Sequence, residues 1–169
     1  KKVVLTGPES VGKSVLSKKL AAHFNTTFVE EYGREYCADI GTDLTPLDFV
    51  HIAAGQLLKE DEATLKANQV LFCDTDLIVT QIWGEIMLPE CPPLIIEMSH
   101  MRHYELHILL KPDVPWVNDG LRAFESIRPK QFERIQEELE SRNLNYVIIS
   151  GDFEERFEQA VLEIEKLLS

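Results

Sequence analysis

Positive charge is scarce in this chain of 169 residues: 17 Lys and Arg stand against 29 Asp and Glu, a formal net charge of −12. Such a surface repels phosphate backbones and anionic lipid. The sequence therefore predicts neither a nucleic-acid partner nor a membrane partner for this domain, and any polyanion must sit in a local basic pocket. Cysteine is sparse too. Cys37, Cys73 and Cys91 are odd in number and far apart, which argues against a metal cluster or a disulfide framework and for reduced thiols in a cytoplasmic protein. No apolar run approaches the roughly 18 residues of a membrane span, and no signal peptide precedes the first apolar stretch. An Asn-Lys-x-Asp run, by which GTPases read guanine, is absent as well.

What is present is a regular alternation. With 44% hydrophobic residues the chain can bury a core, and residues 1–169 read as one domain without repeats or linkers. Short apolar, β-branched runs predict strands at 3–6, 27–29, 70–73, 106–110 and 146–149. Helical spacing follows Lys13 (Leu16, Leu20, Phe24) and Pro46 (Leu47, Val50, Ala54, Leu57, Leu58). It returns over 77–85, around Phe132, Ile135 and Leu139, and from about Asp152 onward. Three prolines within 88–93 predict a loop. Strands alternating with helices, with no hairpin turns, indicate an α/β fold, and the run Gly7-Pro8-Glu9-Ser10-Val11-Gly12-Lys13-Ser14 after the first strand makes it that of a P-loop NTPase. It would have a five-stranded parallel sheet, helices on both faces and a mobile lid at about 112–128.

The chemistry concentrates first in Gly7-Pro8-Glu9-Ser10-Val11-Gly12-Lys13-Ser14. Glycines at both ends let successive backbone N–H groups turn into one anion-binding concavity, and the helix that follows adds its positive end. Lys13 reaches toward β- and γ-phosphates, and the Ser14 hydroxyl suits Mg²⁺. Gly7, Glu9, Ser10, Val11, Gly12, Lys13, Ser14 and Val15 are thus the expected nucleotide contacts. A second candidate lies at the end of the third strand, where Asp74 would hold Mg²⁺ with Ser14, and Asp76 would do the same or orient a substrate. Ser150-Gly151-Asp152-Phe153 follows the last strand. Gly151 and Asp152 are candidates for the base side of the nucleotide, with a helix cap as the plainer role of Asp152. In the lid, Arg122 and Arg128 can bring positive charge to a transferring phosphoryl. Glu30 and Glu31 are equally spaced to serve as general base.

Taken together, several runs resemble the nicotinamide riboside (NR) kinase domain of NadR-type proteins, in the P-loop kinase and AAA-type ATPase-like family. They are the phosphate loop, Glu31-Tyr32-Gly33-Arg34-Glu35-Tyr36, Asp74-Thr75-Asp76 and Pro112-Asp113-Val114-Pro115-Trp116-Val117-Asn118-Asp119-Gly120-Leu121-Arg122. The likeness extends to Ser150-Gly151-Asp152. It implies ATP and Mg²⁺ as cofactors and transfer to the 5′-hydroxyl of a small nucleoside acceptor, NR, to give nicotinamide mononucleotide. It also implies Glu31 rather than Glu30 as base, with Tyr32, Tyr36, Asp76, Trp116 and Asp119 on the acceptor side. NadR-type proteins are often multidomain, with an adenylyltransferase part and sometimes a DNA-binding part ahead of the kinase. Two other readings of the same core are a P-loop ATPase whose lid meets a protein partner and an ATP-binding regulatory module.

Overall fold

The structure, a computed structural model, describes residues 1–117 and 125–169. The apolar runs form β1 (Lys2–Thr6), β2 (Phe28–Val29), β3 (Leu71–Asp74), β4 (Leu106–Leu110) and β5 (Tyr146–Ile149). These make one parallel five-stranded sheet in the order β2-β3-β1-β4-β5. Its register does the positioning. Leu5 of β1 pairs with Asp74, which sets that carboxylate beside the point where β1 runs into the phosphate loop. Among the described residues β2 is an edge strand paired through Phe28↔Phe72 and Val29↔Cys73, and Glu31 follows two residues after its end.

Seven α-helices are described: α1 (Lys13–His23), α2 (Tyr32–Ile40), α3 (Pro46–Thr64), α4 (Leu77–Met87), α5 (Pro93–Ser99), α6 (Arg128–Ser141) and α7 (Phe153–Leu168). Strand residues alternate between two covered faces, as a buried parallel sheet requires. Val3, Leu5, Phe72, Ile108 and Leu110 pack with α1 and α7. On the other face Leu109 packs with α4 and α6, and Val4, Leu71 and Cys73 pack with Tyr104. A separate cluster joins α3, α4 and α5 through Phe49, Ala53, Leu57, Leu77, Ile95 and Met98. Among the described residues no helix is long and apolar enough to cross a membrane.

Two local expectations are corrected. The buried side of α3 is Phe49, Ile52, Ala53, Gln56, Leu57 and Glu60, while Leu47 and Leu58 are exposed at 61% and 64%. The polar pair Gln56 and Glu60 occupies inward positions, so apolar periodicity alone points to the wrong stripe. The stretch after 88 is a loop only as far as Pro92. Pro93 then opens α5, because a proline at the first helical position loses no hydrogen bond.

Candidate active site

The phosphate loop is held open by backbone geometry and by its neighbours. Gly12 caps α1 at φ 86° with no side-chain cap, which leaves the first N–H groups of that helix directed at the loop. A Cβ on Gly12 would stand 2.5 Å from Phe153 Cε1, so only glycine fits beneath that ring. Lys13 Nζ donates to the carbonyls of Gly7 (2.9 Å) and Pro8 (2.7 Å). Buried Arg156, from α7, donates to the carbonyls of Val11 (2.8 Å), Lys111 (2.9 Å) and Gly151 (2.7 Å), and also bonds Asp113. One cation therefore ties the loop to the ends of β4 and β5.

The segment leading into 118–124 is also fastened to the loop. Trp116 donates its indole N–H to Glu9 Oε1 (2.9 Å), and the Val117 amide donates to Ser10 Oγ (2.8 Å). Arg128, only 6% exposed, donates to the carbonyls of Ser10 (3.3 Å) and Val114 (3.1 Å). Its guanidinium braces the loop and the root of the expected lid. Asp119 and Arg122 lie outside the described residues.

Asp74 ends β3 almost wholly buried. Burial, with Glu31 adding to it, pushes its carboxyl up to about 6, against Lys13, the Ser14 hydroxyl bond and Arg34. Asp74 Oδ1 has no hydrogen-bond partner among the described residues. A buried carboxylate with one oxygen unsatisfied, set next to the phosphate loop and electrostatically coupled to the Ser14 hydroxyl, offers hard oxygens that suit Mg²⁺. The next residue, Thr75, adopts φ 86°, a strained conformation for a β-branched side chain, and donates its N–H to Leu5 O (3.0 Å). Asp76 then turns away from the cleft. Its Oδ1 caps α4 at Val79 N (3.0 Å), and its Oδ2 lies 3.8 Å from His107 Nε2. Burial raises Asp76 and lowers His107, so the histidine is neutral at neutral pH.

A cavity of about 300 Å³ opens from the loop. Its lining includes Lys13 and Ser14 of the loop, Glu31 and Arg34 of the segment after β2, and Phe49, Gln56 and Trp83 from α3 and α4. Glu31 Oε2 stands 4.0 Å from Arg34 Nε. Glu31 lines the cavity and exposed Glu30 does not, so the structure separates two acids that spacing alone left equal.

Other expected residues sit elsewhere. Tyr32 packs over Gly55, and the Tyr36 hydroxyl donates to Asp48 Oδ1 (2.7 Å), so both tyrosines brace α2 against α3. Asp152 caps α7 through Glu154 N and Glu155 N. Gly151, at φ 100°, donates its N–H to Asp113 Oδ2 (2.9 Å). Val15, by contrast, lines the cavity together with the loop residues before it. The aromatic walls come instead from Phe49 and Trp83, with Arg34, Gln56 and Thr75 as polar members. The signal for Trp83 was available, because Val79, Thr80, Trp83 and Met87 fall on one side of a helix.

Comparison with known proteins places this arrangement. The model of a family described as AAA domain matches residues 2–156. The chain belongs to that family. It is 36% identical to the trifunctional NAD biosynthesis/regulator protein NadR of Escherichia coli (strain K12), over 98% of this chain and 42% of the relative. Identity is 35%, with the same coverage, to the protein of that name from Salmonella typhimurium. A crystal structure of NadR protein in complex with NR superposes with a TM-score of 0.88 at 27% identity, covering 98% of this chain and 51% of that one. The chain thus spans about half or less of the relatives it matches. A deoxyadenosine kinase from M. mycoides, at 12% identity and TM-score 0.74, covers 98% of this chain and all of that one and shares the fold.

Proposed function

We propose that this chain is an ATP-dependent kinase that phosphorylates the 5′-hydroxyl of nicotinamide riboside to give nicotinamide mononucleotide. The observation that carries the reading is that Glu31 lines the same cavity as Lys13 and Ser14, together with Phe49 and Trp83. The likeness to NadR proteins, one of them solved with NR and another with NAD and AMP-PNP, supports the acceptor and the donor.

On this reading the loop amides and Lys13 hold the ATP phosphates, and Ser14 and Asp74 hold Mg²⁺. The bound cation would neutralise charge on the phosphates. Glu31 accepts the proton of the acceptor hydroxyl as its oxygen bonds to the γ-phosphorus. The bond from that phosphorus to the bridging oxygen breaks, and ADP carries the electron pair away. Arg34 stands beside Glu31 and keeps its carboxylate oriented. Arg128 acts through the Ser10 carbonyl, and Arg122 is the candidate for charge on the moving phosphoryl. An electron-rich Trp83 face suits a cationic pyridinium ring. We read the compartment as cytoplasmic, on three unpaired thiols.

The test is ATP consumption with Mg²⁺ across a panel of nucleosides, with products identified by mass. Nicotinamide mononucleotide that is lost in Glu31→Gln supports the reading. ATP binding without acceptor-dependent turnover overturns it.

A further inference from the structure

Gln56 sits in the acceptor wall with one side-chain atom unaccounted for. The residue is 1% exposed on the inward stripe of α3. Its Oε1 accepts the Tyr32 backbone N–H at 2.9 Å, at the start of α2. That bond fixes the amide's orientation, because the flipped form would set NH₂ against N–H. Nε2 is therefore a committed donor, it has no acceptor among the described residues, and the residue lines the cavity. Buried donors are almost always paired, so one left over in the wall of a pocket is a recognition element.

The helix supplies a direction. Gln56 is bonded to the residue next to Glu31, whereas Phe49 lies seven positions earlier on α3, about 10 Å along its axis. The donor thus stands on the part of α3 that meets the Glu31 side, with Phe49 farther along the same helix.

We propose that Gln56 is a specificity-determining residue whose Nε2–H donates to an uncharged oxygen of the phosphoryl acceptor, either a sugar hydroxyl or a ring carboxamide oxygen. The proposal rests on the kinase reading and adds to it the group that the site demands. A nucleoside lacking that oxygen leaves the donor buried and unpaired, and is rejected roughly 10- to 100-fold in kcat/KM.

The experiment is a cycle of two variants against trimmed substrates. Gln56→Glu keeps an oxygen for Tyr32 N and removes the donor. Gln56→Leu removes both, so Gln56→Glu carries the test if Gln56→Leu folds poorly. Each is assayed with the nucleoside that the wild type phosphorylates, with its 2′-deoxy and 3′-deoxy forms and with a form lacking the carboxamide. Calorimetric binding runs alongside turnover. We expect one analogue to lose roughly 10- to 100-fold with the wild type, mainly in KM, and little further with Gln56→Glu. The analogue that behaves so names the oxygen. Losses that multiply equally across every analogue would show a role confined to Tyr32 and overturn the proposal. Failure of nicotinamide riboside with the wild type would sink that substrate alone. The cycle is then read on the nucleoside that replaces it, by turnover or by calorimetric binding.

Discussion

Lys13 Nζ donates to the carbonyl of Gly7 at 2.9 Å, so the cation meant for phosphates is folded back onto the loop that presents it. Its second acceptor, Pro8 O, belongs to the same loop. These bonds shape the loop and do not join distant elements. Lys13→Met should abolish phosphoryl transfer, with kcat down at least about 100-fold. Circular dichroism and cooperative melting should stay close to wild type. Full turnover in that variant would remove Lys13 from the reaction.

Glu31→Gln keeps the size of the side chain and removes its basicity. The expected loss is about 10²- to 10⁴-fold in kcat, with nucleotide affinity unchanged because the loop is untouched. The matching change at Glu30, exposed and outside the cavity, should cost little. Comparing kcat and the ATP dissociation constant for the two variants checks both statements.

Asp74 should trade stability for function. Its carboxyl rises from the ordinary 3.8 to about 6 in the folded chain, so the folded state binds the proton more tightly than the unfolded state does. The stabilising contribution is complete below about pH 4 and is lost as pH climbs through 6. It is worth up to about 3 kcal/mol at 1.36 kcal/mol per pH unit. Asp74→Asn, free of cation and nucleotide, should therefore be more stable than wild type at pH 8 and nearly equal at pH 4, while transfer is lost. Denaturant melts at the two pH values test this, and equal stability at pH 8 would contradict it.

Arg156→Met should be among the costlier single changes. It leaves the carbonyls of Val11, Lys111 and Gly151 without their donor, a penalty of about 3 kcal/mol or more. Because Val11 belongs to the phosphate loop, ATP affinity should fall together with the melting temperature. A destabilised variant that binds ATP normally would show that the tie is purely structural.

Asp76 has the opposite profile from its neighbour two residues away. Asp76→Ala removes the cap on Val79 N and should cost about 1–2 kcal/mol in chemical denaturation. The variant should retain activity, because that carboxylate does not face the cavity.

Much of this was legible in the chain. The five strands stood out because each is a short apolar run, and two of them stop at a glycine or an aspartate that the site uses. The loop from Gly7 to Ser14 carries its own context. The buried side of α3 was hidden because Gln56 and Glu60 face inward, and polar residues there invert the pattern that periodicity relies on. Asp74 and Asp76 flank Thr75, whose positive φ turns the chain between them, so Asp76 caps α4 while Asp74 keeps an unsatisfied oxygen among the described residues, a difference that spacing alone does not show. The resemblance puts Tyr32 and Tyr36 on the acceptor side, yet among the described residues Phe49 and Trp83, distant in sequence from Glu31, are the large aromatics that line the cavity.

The two-residue pairing that fastens β2 to β3 has a consequence for descent. The phosphate loop and Asp74 are rooted in central strands β1 and β3, whereas Glu31, α2 and α3 follow from the marginal strand β2. Substitutions in α2 and α3 can therefore accumulate without disturbing the loop or Asp74. On the kinase reading, a lineage that keeps Glu31 can remodel the pocket from the sheet's margin and leave the phosphate loop as it was.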